Sequence, residues 1–367
     1  MTKSAIRIPV ARPLLPTRAA IAPYLDEIDV ARWYTNFGPL CLRFEARLAD
    51  RYGLSPECVC TVSNATVGLV VSLQAAGAAP GSHCLVPSWT FSASVHAVIA
   101  AGLVPLFVDV DEGGALTPEI ARQALAGPQT IGAVMPVAVY GQTLDAAGWA
   151  AFSAAHGVPV ILDAATAFDS AQPGPCPSVV SLHATKILGV GEGGFVMSHD
   201  PGLIADIRRR INFGFSGNRE TLVEATNGKM SEYAAAVGLA ALDGWDSRRA
   251  GFQRLASRYR AGLARLAGAK LVDGFGEDWL AATCVVELDR PAQAVAADLA
   301  NAGVETRAWW GMGMHRQPAF SHFPRRPLPV TETLALRTLG LPMYLDMPDE
   351  AVDYTIAALE KALTSGR

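Results

Sequence analysis

Two ionisable side chains stand out for the chemistry they could do together. Lys186 follows the apolar run Val179 to Leu182 and opens onto a turn containing Gly189, Gly191, Gly193 and Gly194. Such a turn does not itself need a lysine. At the end of a buried strand the charged form of a lysine is disfavoured, which leaves a nucleophilic amine able to form a Schiff base with a carbonyl. Asp163 lies 23 residues upstream and ends the run Val160-Ile161-Leu162. A carboxylate there is costly to bury without a cationic partner. Taken singly, each has a plainer reading: Lys186 as a solvated lysine beside a loop, Asp163 as half of a structural ion pair or as a helix cap.

Read together, the pair suits pyridoxal 5'-phosphate (PLP). Its carbonyl would meet the lysine. Its protonated pyridine nitrogen would meet the aspartate, which keeps the ring cationic and a better electron sink. Three further segments fit the same ligand. Asn64-Ala65-Thr66 stands where a strand turns into a helix. Backbone N–H groups there, with the Thr66 hydroxyl, suit a phosphate, although an ordinary N-cap has the same look. Trp89, just past Pro87, can stack on a planar ring or fill the core. Ser181, five residues before Lys186, can add a phosphate contact, and His183 between them reads equally well as structural or functional.

These residues need a scaffold that brings strand ends together. The spacing predicts strands over 59–62, 84–86, 104–108, 131–137 and 158–162, alternating with helices over 66–76, 91–101, 118–126 and 145–156. Helices over 18–31 and 40–52 precede them. Repeated strand–helix units argue for a mostly parallel sheet covered by helices, with ligands at the carboxyl ends of the strands. Asn64, Trp89, Asp163 and Lys186 all fall at or just beyond such ends. Further on, helices are expected at 201–211, 231–242, 248–266, 291–302, 331–339 and 349–364, with strand-like segments at 283–288 and 304–307. The stretch 309–329, rich in proline and histidine, is long enough to act as a cover. The expected division is a large domain over 1–235 and a smaller α/β domain over 236–367.

Composition narrows the partners. Half of the 367 residues are apolar and 17% are charged, which permits a large core and argues against disorder. A net charge of −4 gives no footprint for nucleic acid. The opening stretch MTKSAIRIPVARPLLP has no continuous apolar core, so no signal peptide is expected. No run is apolar enough for a membrane helix. The six cysteines form no CxxC pair and read as reduced thiols of a cytoplasmic protein, and the seven histidines show no metal-ligand spacing.

A series of segments carries a resemblance: TNFGP at 35–39, SNAT at 63–66, PSWTFSAS at 87–94, PLFVDVD at 105–111, PVAVYGQ at 136–142, ILDAATAF at 161–168, SLHATK followed by GEGG through 194, and NGKMSEYAAAVGLAAL at 227–242. In this order the chain resembles the DegT/StrS group of PLP-dependent nucleotide-sugar aminotransferases. The resemblance implies PLP transferase fold type I, with a mostly parallel sheet of seven-stranded type and a smaller C-terminal α/β domain. It implies that Lys186 is the Schiff-base lysine, Asp163 the partner of the pyridine nitrogen and Trp89 the stacking aromatic. Ala65, Thr66 and Ser181 match phosphate contacts. Thr166 stands where glutamine or histidine is usual beside the cofactor's 3-hydroxyl, and Ala65 where glycine is commoner. Asn227 matches an asparagine that reaches the phosphate of a neighbouring subunit, which implies a homodimer with shared sites. Asn36, Lys229 and the 309–323 loop fall where the group meets the sugar nucleotide.

The activity so implied is transfer of an amino group from glutamate to a nucleotide-linked 4-keto-6-deoxy sugar. The product is a 4-amino-4,6-dideoxy sugar of the kind used in O-antigen, other surface polysaccharides or glycosylated metabolites. The segments NFGF at 212–215 and NGKMSE at 227–232 carry the resemblance to enzymes acting at C4. Alternatives on the same fold are a C3-aminotransferase, a PLP-dependent sugar dehydratase and a non-catalytic regulatory relative. Known deoxygenating relatives carry histidine in place of the Schiff-base lysine, so Lys186 favours transamination.

Overall fold

The strands that carry the site are short and buried on both faces, as strands between two helical layers must be. The structure, a computed structural model, describes residues 7–364. The first six residues of the opening stretch read for a leader lie outside that range. The chain starts with α1 (Arg18–Ala31) and α2 (Pro39–Arg51). It then alternates through β1 (Val59–Val62), α3 (Ala65–Ala75), β2 (His83–Pro87), α4 (Ser92–Ala100), β3 (Val104–Val108), α5 (Pro118–Leu125), β4 (Ile131–Val134), α6 (Ala146–His156) and β5 (Leu162–Asp163). β6 (Ser178–Ser181), β7 (Gly194–Met197), α7 (Pro201–Arg210), α8 (Glu232–Asp243) and α9 (Trp245–Leu263) follow. The chain continues with β8 (Ala269–Leu271), β9 (Cys284–Leu288), α10 (Ala292–Asn301), α11 (Pro329–Arg337), β10 (Thr338–Leu341) and α12 (Asp349–Thr364).

Strands β3, β2 and β4 form one parallel ladder in that order. β1, β7, β6 and β5 form another, in which β5 and β6 are parallel and β7 is antiparallel to both of its neighbours. The single bridges Val134↔Val160 and Val137↔Asp163 join the two ladders side by side. Strand ends at Val62, Pro87, Asp163 and Ser181 therefore open on the same edge. A separate antiparallel sheet, β10-β9-β8, carries the C-terminal part, where α12 packs on α9 and α10. The expected boundary between residues 235 and 236 falls inside α8, which packs on α1 and α2.

Local signals hold where they are local. Thr117 caps α5 through its hydroxyl, with Pro118 in the first turn. Asn64 caps α3, accepting from the Val67 N–H at 2.9 Å. Longer-range features depart from expectation. The stretch 304–307 makes only the single bridges Ile8↔Val304 and Arg307↔Gly340, and helix α11 stops at Arg337 so that β10 can pair with β9. β4 ends at Val134 and β5 is two residues long. β7 was masked in the sequence by the glycines before it. Its first residue, Gly194, abuts α3, where a Cβ would come within 2.9 Å of the Ala65 nitrogen.

The 309–329 segment is fastened to the large sheet. The Met314 N–H donates to the Ser88 carbonyl at 2.8 Å, and the His315 Nδ1 lies 2.7 Å from the Ser88 hydroxyl. Asp109, just past β3, accepts from the Val330 and Thr331 N–H groups and from the Thr331 hydroxyl. All six cysteines are free and buried. Among the described residues no helix is long and apolar enough to cross a membrane.

Candidate active site

At the end of β5 the Asp163 side chain is 4% exposed. Its Oδ2 accepts the Ser94 hydroxyl at 2.7 Å and its Oδ1 accepts the Ala165 N–H at 3.1 Å. The Thr90 and Ser94 hydroxyls are 2.8 Å apart and both residues are buried. Ser94 spends its one proton on Asp163, so Thr90 donates to Ser94. Among the described residues no cationic side chain forms an ion pair with Asp163. Burial pushes the carboxyl above its ordinary range, and the two hydrogen bonds and the charge of Lys186 oppose that rise.

Lys186 lies in the turn that follows β6. Its N–H donates to the His183 carbonyl at 2.8 Å, and the Ala184 N–H donates to the Gly191 carbonyl at 2.8 Å. Gly189 is required there, because a Cβ would sit 2.9 Å from the Ala184 Cα. The side chain is walled by protein and keeps part of its surface open to a cavity. Burial lowers the amine's pKa from that of an ordinary lysine, and the Asp163 carboxylate partly restores it.

The cavity has a volume of about 390 Å³ and lies along the shared strand edge. It gathers Ala65, Thr66, Asp163, Thr166, Ser181 and Lys186 on one wall system. One end is the N-terminus of α3, whose unpaired N–H groups suit an anion. The Ser181 Oγ accepts the His183 N–H at 3.2 Å, and the Thr166 hydroxyl donates to the Ala138 carbonyl at 3.0 Å. His183 also faces the cavity, its Nδ1 2.8 Å from the Thr185 hydroxyl.

Four expected residues lie elsewhere. Trp89 is 2% exposed and packs edge-on to Trp310, with ring centroids 5.3 Å apart. It does not line the cavity; of the PSWTFSAS segment's two aromatics the one on the wall is Phe91, two residues further along and 59% exposed. Asn227 accepts from the Lys229 amine at 2.8 Å, and the amine lies 4.4 Å from the centre of the Phe213 ring. Neither residue lines this chain's cavity, nor does Asn36, an exposed residue with φ of 61°.

Ser94, Thr90, Tyr140 and Trp310 join the site without a sequence signal that marks them singly. Ser94 and Phe91 sit within the PSWTFSAS segment, but only the course of the turn shows which residues face inward. Tyr140 stacks on Trp310 at 4.5 Å and 19°, which gives the cavity an aromatic end.

The donor set fits a phosphorylated pyridine aldehyde. Asp163 is a buried carboxylate that no ion pair satisfies, Lys186 is an amine whose charge burial disfavours, and the α3 N-terminus is open to an anion. Among the described residues no group of three or more His, Cys, Asp or Glu side chains is placed to hold a metal ion.

The model of the DegT/DnrJ/EryC1/StrS aminotransferase family matches residues 17–360. The chain is 31% identical over 385 residues to Protein Rv3402c of Mycobacterium tuberculosis, covering 98% of this chain and 91% of that one. It is 30% identical over 372 residues to the GDP-perosamine synthase of Caulobacter vibrioides, covering 95% and 99%. The crystal structure of DesI in the presence of its TDP-sugar product superposes with a TM-score of 0.89 at 32% identity, covering 100% of this chain and 95% of that one.

Proposed function

Because the chain belongs to the DegT/DnrJ/EryC1/StrS aminotransferase family, we propose that it transfers an amino group from glutamate to a nucleotide-linked 4-keto-6-deoxy sugar. The observation that carries the reading is the meeting of Asp163 and Lys186 in one cavity, the first buried without a cation and the second with its charge disfavoured. The enzyme is a PLP-dependent aminotransferase. PLP, when bound, supplies an electron sink for the donor's Cα–H bond and carries the amino group between two half-reactions. Glutamate leaves as its 2-oxo acid and the ketone leaves as the amine, so the exchange balances without an outside oxidant.

Each residue has a proposed task. Asp163 holds a proton on the pyridine nitrogen. Ala65, Thr66 and Ser181, with the N-terminus of α3, bind the phosphate. Phe91 takes the place expected for Trp89 as the aromatic beside the ring. Thr166 would face the ring's hydroxyl. The Lys186 amine, its charge disfavoured by burial, would serve as the acid–base group that moves the proton of the donor's Cα. Tyr140 and Trp310 offer aromatic faces to the C–H surface of the sugar.

Three observations support the sugar and the assembly. Two of the three proteins named above are a perosamine synthase and a protein crystallised with a TDP-sugar product. Trp33, Tyr34 and Tyr233 are each about half exposed, and Tyr34 stacks on Tyr233 at 6.3 Å, which supports a second subunit on this face. Asn227, Lys229 and Asn36 would then serve the partner's site.

The test is an absorbance spectrum of PLP-loaded protein before and after glutamate, with Lys186→Ala as control, followed by a panel of keto sugar nucleotides. A lysine-dependent band that glutamate converts, and a C4-aminated product by NMR, are expected. A protein that takes up no PLP would overturn the reading, and a product aminated at C3 would move it to the alternative position.

A further inference from the structure

Trp310 reaches the cavity wall from a segment far along the chain, and a buried histidine five residues on fastens that segment to the sheet. His315 is 2% exposed, and Ser88, just past β2, is fully buried. The Ser88 hydroxyl oxygen accepts the His315 N–H at 3.1 Å and lies 2.7 Å from the His315 Nδ1. A hydroxyl has one proton to give, and Nδ1 is the acceptor within reach, so the ring proton sits on Nε2. Nε2 faces the Glu332 carboxylate at 3.5 Å and has no hydrogen-bond partner among the described residues. A proton there attracts the carboxylate, whereas a bare lone pair would repel it. Burial and the charges of Arg316 and Arg325 lower the imidazole's pKa against the pull of Glu332, so the ring is neutral at pH 7. Ser, His and Glu in this order have the look of a hydrolytic triad, yet no substrate carbonyl can reach a fully buried Ser88. The contacts hold; they do not react.

What they hold is Trp310. The Gly313 N–H donates to the Trp310 carbonyl at 3.1 Å, and the Met314 N–H donates to the Ser88 carbonyl at 2.8 Å, so residues 310–314 form one bonded turn resting on Ser88. The turn needs Gly313. Its φ is 85°, and a Cβ would lie 3.1 Å from both the His315 Nδ1 and the Ser88 Oγ. The Trp310 ring packs edge-on to Trp89, the residue after Ser88, and face-on to Tyr140 at 4.5 Å. Tyr140 has φ of 55°, a left-handed conformation that is costly for an aromatic residue and persists only where its surroundings impose it. Tyr140 and Trp310 line the cavity, and Ser88 and His315 do not.

We propose that His315, tethered to Ser88, is a positioning residue: it sets Trp310 against Tyr140 and so fixes the fit of the keto sugar without touching it. The proposal rests on the transaminase reading and deepens it. The sugar is the substrate whose C–H faces use an aromatic wall, and a small charged amino donor gains little from one.

The two half-reactions separate a positioning role from a general structural one. PLP-loaded wild type, His315→Ala, His315→Asn and Ser88→Ala are titrated with glutamate, and half-saturation is read from the cofactor absorbance. The same proteins loaded with pyridoxamine 5'-phosphate are titrated with the keto sugar nucleotide that wild type accepts. His315→Ala is expected to raise half-saturation by the sugar about 5- to 10-fold, the share of one hydrogen bond, while glutamate changes less than about twofold. Ser88→Ala should repeat that pattern. His315→Asn, whose carbonyl oxygen can accept the Ser88 proton, should recover most of the loss. A double-mutant cycle with Trp310→Ala tests the route: once the indole is gone, His315→Ala should add little to the loss of sugar binding. Additive losses, equal losses in both halves, or unchanged sugar saturation would overturn the proposal. If His315→Ala fails to fold, Ser88→Ala carries the same comparison and the same cycle. A wild type that reacts with glutamate but aminates no keto sugar overturns the transaminase reading itself, which distinguishes the two failures.

Discussion

The Ser94 hydroxyl donates to Asp163 Oδ2 at 2.7 Å across 69 residues of sequence, and Thr90 stands behind Ser94 at 2.8 Å. This buried relay favours the ionised carboxylate where burial alone would favour the acid.

Replacing Ser94 with Ala should therefore raise the range in which Asp163 ionises and weaken PLP retention. A hydrogen bond to a charged group contributes about 1.5–3 kcal/mol, roughly 10- to 100-fold in Kd. Equilibrium dialysis of the variant across pH would show the loss growing toward acid, and an unchanged Kd at every pH would count against the relay.

Lys186→Ala should abolish the glutamate-dependent spectral change and lower turnover by about 10²- to 10⁴-fold, the usual share of a positioned acid–base group. Thermal unfolding should remain close to wild type, because the variant removes a desolvated amine that no ion pair holds.

The pH behaviour of that amine follows from its burial. In cofactor-free protein, alkylation of Lys186 should have a midpoint below the ordinary lysine value of 10.5, and Asp163→Asn should lower it further by removing the charge that raises it. The linkage signs are opposite for the two groups. Between the folded value of Lys186 and 10.5 the unfolded chain binds more protons, so stability rises with pH in that window. Between 3.8 and the raised folded value of Asp163 the folded chain binds more protons, so stability falls with rising pH there. Denaturant titrations of cofactor-free wild type and Asp163→Asn would resolve the acid window.

The two aromatics of the PSWTFSAS turn should separate stability from binding. Trp89→Ala removes a buried indole packed on Trp310 and should cost about 3–5 kcal/mol of stability. Phe91→Ala alters a 59% exposed ring and should leave the unfolding midpoint nearly unchanged while weakening PLP binding. A Phe91 variant with wild-type PLP affinity would return the stacking role to another residue.

Much of the site was legible in the sequence because its signals are local. Apolar runs mark buried strands, Asp163 and Lys186 stand at or just after their ends, and Asn64 and Thr117 cap the helices they precede. Parallel strands in a right-handed α/β alternation open their carboxyl ends on one edge, so residues scattered from 64 to 186 were expected to meet. The PLP family was legible for the same reason, as a string of strand-end segments in fixed order.

What the sequence did not determine depends on contacts between distant segments. Whether Trp89 or Phe91 lines the cavity is decided by the turn after β2 and by Trp310, which packs edge-on against Trp89. Ser94 is one small polar residue on a helix until α4 sets its hydroxyl against Asp163. Gly194 reads as part of a flexible turn until α3 closes on it and leaves no room for a Cβ. Arg248 is one basic residue among several in α9 until the chain folds the Ile187 and Leu14 carbonyls against it. In each case the deciding quantity is desolvation or steric exclusion imposed by a segment far along the chain, and neither has any local trace in residue order.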